Sequence, residues 1–165
     1  PHGREGRRRG GAPATPRADV VSGGAESFPK ASRLLRPSEF DRVYRFRRSA
    51  AEGALVLYAC PRPLPASVAP SPARLGMSVS RRIGNAVARN AWKRRLREAF
   101  RVARKRIPAG HDYLVVVRSG AAPGGADGAA KIEGILVALA TRIVSRPAYR
   151  DAEVPPVLPT KPRRR

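Results

Sequence analysis

A basic stretch from residue 81 to residue 106 constrains the fold of this chain more than any other feature. Its sequence is RRIGNAVARNAWKRRLREAFRVARKR, with eleven Arg or Lys and one acid, Glu98. Gly84-Asn85 is typical of a turn, and helical spacing begins at about Val87. One apolar stripe recurs at helical intervals, formed by Trp92, Leu96, Ala99, Phe100, Ala103 and Ile107. The stretch therefore predicts an amphipathic helix that packs on a core.

Polar and basic residues of the same helix are predicted to lie on roughly the opposite side from the stripe: Asn90, Lys93, Arg94, Arg97, Arg101 and Arg104. A solvated surface is the simplest interpretation of a run of charges. Here acids are almost absent at the i+4 positions, so repulsion between like charges destabilises the helix unless a polyanion neutralises it. We interpret the face as a surface for a polyanion.

Composition narrows the class of protein. A net charge of +22 and a pI near 11.8 indicate a nucleic-acid or other anionic partner. The sequence has no apolar run of about 18 residues, so we do not expect a membrane partner. No feature of the sequence indicates a protein partner. The only cysteine, Cys60, excludes an internal disulfide and fits a reducing cytoplasm, which is the predicted location.

The chain divides into one packed domain, residues 29–146, and two tails. Residues 1–28 and 147–165 are rich in Pro and Arg without apolar periodicity, so both tails are predicted to be disordered. The Arg-rich first tail also resembles an organelle transit peptide. Its acids and its lack of amphipathic spacing argue against that alternative.

A first helix is predicted over residues 35–48, with Pro37 at its first position and Glu39 at its third. Phe40, Val43 and Tyr44 share one face among several arginines. Aromatic residues at helical spacing usually belong to a core. Aromatic rings surrounded by arginines also describe a platform for single-stranded bases, and both interpretations stay open.

Three strands and a last helix complete the predicted elements. Residues 54–60 and 74–80 alternate between an apolar face and a face of small or polar residues with one tyrosine, Tyr58. Residues 111–118 are predicted to form a third strand, and its continuous apolar run from Tyr113 to Val117 is typical of a central strand. Residues 132–143 are amphipathic and predict the last helix. The predicted order is α-β-β-α-β-α, an α/β fold of the two-layer α+β kind, with a small central sheet packed with helices.

Side chains for catalysis are not evident. His2 and His111 have no serine, cysteine or carboxylate at a sequence spacing that would indicate a catalytic site. The acids are too scattered for a paired-carboxylate site. No His/Cys spacing indicates a metal site. We expect no catalytic and no metal-binding residue in this chain.

Residues 82–90, RIGNAVARN, together with Lys93-Arg94, Arg97-Glu98 and Phe100-Arg101, resemble the "RNR" motif of the bacterial ribonuclease P protein subunit. With its flanks the resemblance covers residues 28–144. One departure lies inside the motif, because Ala91 stands where that family has its second arginine. The neighbouring bulky aliphatic residue is replaced by Trp92, which should still fill the core.

The resemblance implies a subunit that helps to remove the 5′ leader of precursor tRNA, while a catalytic RNA binds the Mg²⁺ ions. It also implies that the basic helix lies in a left-handed crossover. Residues implied to contact the catalytic RNA are Arg81, Arg82, Asn85, Arg89, Asn90, Lys93, Arg94, Arg97 and Arg101. Residues implied to bind the leader are Phe40, Tyr44, Tyr58 and Ser78.

Two other classes of protein remain as alternatives. A ribosomal or other general RNA-binding protein would pack the basic helix on RNA and keep the aromatic residues in its core. A non-specific DNA-binding protein would share the charge, but duplex DNA has no use for an aromatic groove.

Overall fold

The computed structural model describes residues 28–63 and 67–159. The helices are α1 (Pro37–Phe46), α2 (Ala86–Ala103), α3 (Gly128–Val144) and α4 (Pro147–Arg150). The strands are β1 (Ser49–Glu52), β2 (Leu55–Pro61), β3 (Arg74–Val79) and β4 (His111–Val117). The first predicted tail falls almost wholly on residues outside the described ranges.

The strands form one sheet in the order β1-β2-β4-β3. β2 pairs antiparallel with β1 and with β4, whereas β3 and β4 are parallel. Parallel neighbours need a crossover connection, and α2 supplies it. The predicted fold class is confirmed, while the left-handed sense of the crossover stays a prediction.

One strand, β1, was missing from the predicted order. The first helix was predicted to continue to residue 48, but α1 ends at Phe46. Arg47 then adopts a left-handed conformation with φ 53°, which ends the helix. The chain turns into β1, and Gly53, with φ 54°, makes the tight turn into β2.

The main core lies between the sheet and two helices, α2 and α3. Leu55 and Leu57 of β2 and Val115 of β4 point into it and are almost fully buried. The stripe predicted for α2 is confirmed, because Trp92, Leu96, Ala99, Phe100, Ala103 and Ile107 are all buried. The indole Nε1 of Trp92 also donates a hydrogen bond to the carbonyl of Gly120 at 3.0 Å. Trp92 therefore fills the core and fixes the loop that follows β4.

Helix α1 covers the other face of the sheet, but only in part. It begins with Pro37, as predicted, and the Glu39 carboxylate accepts hydrogen bonds from the backbone N–H groups of Leu35 and Arg36, both at 3.0 Å. Val43 is fully buried against the sheet. Because α1 is short, part of this face stays uncovered.

The C-terminal boundary predicted at residue 146 is too early. Helix α4 follows α3 after Arg146, and its Tyr149 is 2% exposed. The Tyr149 ring lies 5.3 Å from the ring of Phe46, edge to face. The segment then returns to α1, where the Arg45 guanidinium donates to the carbonyl of Pro156 at 2.9 Å. Residues 147–156 thus belong to the packed domain, and residues 160–165 lie outside the described ranges.

In the described ranges, no helix combines the length and the apolar character needed to cross a membrane.

Candidate nucleic-acid interface

The basic side chains of α2 cluster on one exposed flank of the helix. We call this surface the basic face; it comprises Arg81 and Arg82 from the 3-10 turn before α2, and Arg89, Asn90, Lys93, Arg94, Arg97 and Arg101 from α2 itself. All of these side chains are exposed or half-exposed. The structure therefore gathers on one surface all but one of the residues expected to contact RNA.

In the described part of the chain, the cations of the basic face have no counter-charge. No ion pair or side-chain hydrogen bond engages them within residues 28–63 and 67–159. The acids pair elsewhere: Asp41 with Arg45, Glu98 with Arg95, and Glu133 with Arg106. The positive charge of the face is left for an external anion to neutralise.

Two predicted members of this surface have structural contacts. Asn85 is the N-cap of α2, where its Oδ1 accepts a hydrogen bond from the N–H of Ala88 at 3.0 Å. Its Oδ1 therefore orders the first turn of the helix. Arg104 donates to the hydroxyl of Ser32 at 3.4 Å. That contact ties the end of α2 to the segment before α1.

Phe40 and Tyr44 project from α1 over the sheet. A Cβ placed on Gly76 of β3 would lie 3.0 Å from Cζ of Phe40, so the ring sits directly on the glycine. One turn later, the Tyr44 ring meets Tyr58 of β2 edge to face, with ring centroids 5.2 Å apart. The helix thus crosses the sheet with one ring over β3 and the other over β2.

The uncovered part of the sheet lies beside these rings. Val56 of β2, Val116 of β4 and Ser78 of β3 are register partners, so their side chains lie in one row on the same face as Tyr58. All three are half-buried. We call the surface formed by Phe40, Tyr44, Tyr58, Val56, Val116 and Ser78 the aromatic groove. The four residues expected to bind the leader are therefore part of one surface.

A buried charge cluster fixes α1 on the sheet. Asp112 of β4 is 1% exposed, and both of its oxygens accept hydrogen bonds from the Arg74 guanidinium at 2.8 Å. Arg74 also donates to Glu39 at 2.8 Å, and Arg42 of α1 lies 3.7 Å from Asp112. A third cation, Arg62, lies 3.5 Å from the same carboxylate. The cluster connects α1 to β3, to β4 and to the residue that follows β2.

The ionisation of this cluster follows from its contacts. Hydrogen bonds from Arg74 to Asp112 raise the pKa of Arg74 despite its burial. Burial alone would raise the pKa of Glu39. The two backbone N–H groups and the Arg74 guanidinium outweigh burial, so the pKa of Glu39 lies below its usual value. Both groups therefore keep their charges near neutral pH. Sequence analysis missed the cluster, although an acid directly before the apolar run of β4 was a visible signal.

Among the side chains suited to nucleophilic or proton-transfer chemistry, Cys60 is buried and His111 is half-buried. Burial raises the pKa of the Cys60 thiol and lowers the pKa of His111. The hydroxyl of Tyr149 lies 2.8 Å from Nδ1 of His111. In the described part of the chain, no group of three or more His, Cys, Asp or Glu could hold a metal ion.

Comparison with known proteins agrees with this geometry. The family profile described as Ribonuclease P matches residues 28–139. The chain belongs to the ribonuclease P protein family. The matched residues include the basic face and the aromatic groove, so the unusual Ala91-Trp92 pair is a variation within that family. As a protein component of ribonuclease P, the chain takes part in tRNA processing.

The match with this chain covers most of the length of curated relatives in the ribonuclease P protein family. The ribonuclease P protein component of Bordetella avium is 43% identical over 98 residues, which are 59% of this chain and 78% of that protein. The component of Enterococcus faecalis is 35% identical over 91 residues, 55% of this chain and 73% of that protein.

Solved structures of the family share the fold. The ribonuclease P protein of Staphylococcus aureus superposes with a TM-score of 0.51 at 30% identity, covering 70% of this chain and 97% of that one. The protein from Thermotoga maritima gives a TM-score of 0.53 at 25% identity, covering 67% and 96%.

Proposed function

We propose that this ribonuclease P protein binds the catalytic RNA through its basic face and holds the 5′ leader of precursor tRNA in its aromatic groove. The observation that carries the proposal is the unpaired positive charge on one flank of α2, beside a groove with accessible aromatic rings. Together the two surfaces fit a partner with both phosphates and unstacked bases.

Phosphates are the natural counter-charge for the basic face. Arginine guanidinium groups bind phosphate oxygens bidentately, and each neutralised phosphate releases condensed counterions. α2 is a rigid helix packed on the core, so the cations lie at fixed positions before the RNA arrives. Less conformational freedom is then lost on binding than for a disordered basic tail.

Single-stranded RNA suits the aromatic groove. Tyr44 is 39% exposed although it meets Tyr58, so its ring can still receive a base. The floor of the groove is formed by two valines and Ser78, which are small enough to leave room for a strand. Stacking on an aromatic ring tolerates any base, as a subunit that processes many precursors requires.

Chemistry in this scheme belongs to the RNA subunit with its Mg²⁺ ions. The protein contributes by positioning: it holds the leader beside the catalytic RNA and offsets the repulsion between two polyanions. The protein alone is then inactive. The complex is expected in the cytoplasm, where precursor tRNA is made.

The test compares precursor and mature tRNA, since only the precursor has a leader. Tyr44→Ala or Tyr58→Ala in the reconstituted complex should weaken precursor binding by about 5- to 150-fold, from roughly 1–3 kcal/mol per stacked base. Affinities for mature tRNA and for the catalytic RNA should stay unchanged, and circular dichroism should confirm the fold. Equal losses for both tRNAs would contradict leader binding and favour a general RNA-binding protein.

A further inference from the structure

A separate cavity lies at the edge of the sheet, where the aromatic groove reaches β3. It has a volume of about 220 Å³, and its apolar walls include Phe40, Leu35 and Met77. Lys93 and Arg97 reach it from α2. We call this cavity the edge pocket. It shares Phe40 with the aromatic groove and its two cations with the basic face, so it lies where the two surfaces meet.

Backbone groups of β3 are open at this edge. The N–H of Leu34 donates to the carbonyl of Leu75 at 3.1 Å, so the backbone groups of Leu75 point away from β4. Those groups alternate in direction along a strand, and the N–H and C=O of Met77 therefore point the same way. The only bridge on this edge within the described ranges joins Arg33 to Leu75. The backbone of Met77 can therefore hydrogen-bond a ligand.

The chemistry of the edge pocket fits one nucleotide. Its volume is below the roughly 300 Å³ at which pockets for drug-sized molecules begin, so it has room for a single base. Apolar walls and one aromatic ring suit the faces of a base, and the Met77 backbone suits its hydrogen-bonding edge. Lys93 and Arg97 have no ion-pair partner in the described part of the chain and can hold the attached phosphate.

We propose that the edge pocket binds one unstacked base of the 5′ leader, where the strand leaves the aromatic groove over β3 and turns towards α2. This inference rests on the proposed leader binding. The leader is the source of the base because the pocket opens from the groove at Phe40. The base is recognised partly by protein backbone, so this leader position has a sequence preference that stacking alone does not give.

The first test fills the edge pocket. Leu35 is 55% exposed, and Leu35→Trp places an indole in the space of the base. The matched control is Val157→Trp, at a position outside the pocket that is 52% exposed. In the reconstituted complex, Leu35→Trp should weaken precursor tRNA binding by about 5- to 150-fold, the loss expected for one base. Mature tRNA binding should not change, and the control should behave as the unmodified protein.

The second test uses precursors with one abasic nucleotide placed at each leader position in turn. With the unmodified protein, an abasic nucleotide at one leader position should weaken precursor binding. With Leu35→Trp, an abasic nucleotide at that same position should cause no further loss, because the two changes remove the same contact. Additive losses at every position would overturn the proposal. Equal weakening of mature and precursor tRNA by Leu35→Trp would also overturn it. If Leu35→Trp does not fold, Met77→Phe fills the same space from the strand and answers the same question.

Failure of this inference differs from failure of the proposed function. If Tyr44→Ala reduces leader binding while Leu35→Trp does not, only the edge pocket is refuted. If the unmodified complex has no preference for precursor over mature tRNA, leader binding itself is refuted.

Discussion

Asp112→Asn tests whether the buried charge cluster holds the domain together. The substitution keeps the volume of the side chain and removes its charge. Asp112 is 1% exposed, makes two 2.8 Å hydrogen bonds to Arg74, and lies 3.7 Å from Arg42 and 3.5 Å from Arg62. Without the carboxylate, three guanidinium groups stay close together with only Glu39 to offset them. Loss of one partner of a buried ion pair typically costs about 3–5 kcal/mol.

That cost is a large share of the total, since domains of this size have free energies of unfolding of about 5–15 kcal/mol. Urea unfolding followed by far-UV circular dichroism gives the measurement. The control is Asp41→Asn, because Asp41 is 57% exposed and its 2.9 Å pair with Arg45 lies on the surface. The control should cost at most about 1 kcal/mol. A loss below about 1 kcal/mol for Asp112→Asn would refute the assigned role of the cluster.

Three further predictions concern the basic face, the aromatic groove and His111, which contacts Tyr149 of the C-terminal segment. Affinity for the catalytic RNA should fall with salt at a log–log slope of roughly −4 to −7, for about six to eight phosphate contacts; a slope near −1 would contradict this. The slope should become shallower, without unfolding, on replacement of Arg89, Arg94 and Arg97. Gly76→Ala should displace the Phe40 ring from the sheet, which costs about 1–3 kcal/mol of stability. The substitution should also weaken precursor tRNA binding more than mature tRNA binding. Unchanged affinity for precursor tRNA would contradict a role for the packing of Phe40 on Gly76 in leader binding. Because the folded-state pKa of His111 is depressed below 6.5, its contribution to stability is present above that pH and is lost as pH falls through the folded pKa. The unmodified protein should therefore lose more stability than His111→Gln between pH 7 and 5, by at most about 1.4 kcal/mol per pH unit; identical pH profiles would contradict the shift.

Periodicity was sufficient to predict α2 and its buried stripe. From Trp92 to Ala103 the buried positions repeat at helical spacing, and the stripe packs on the sheet and on α3. The meeting of Tyr44 and Tyr58 was also implied, because the alternation of β2 places Tyr58 on the face opposite Leu57.

Short elements were not predictable. β1 is Ser-Ala-Ala-Glu, with no β-branched or aromatic residue, and it is a strand only because β2 lies beside it. α4 has four residues, and its burial depends on Phe46 and His111, which are distant in sequence. The faces of the sheet were assigned correctly. How much of the second face α1 covers depends on where the Asp112 cluster anchors the helix, and local spacing does not contain that information.

Ala91 is another position whose surroundings could not be predicted from the sequence. The sequence shows only that an arginine of the family motif is missing. In the structure Ala91 lines a cleft of about 390 Å³ together with Arg94, Arg95 and Pro123. The missing arginine therefore leaves a cleft that still has two cations in its wall.

Reconstitution tests the central claim most directly. Catalytic RNA of ribonuclease P, this protein and a precursor tRNA are combined at low Mg²⁺, and cleavage at the mature 5′ end is followed. Efficient cleavage is expected only when RNA and protein are both present, and none is expected with RNA-free protein. Cleavage by the protein alone, or RNA activity that the protein leaves unchanged, would contradict the central claim.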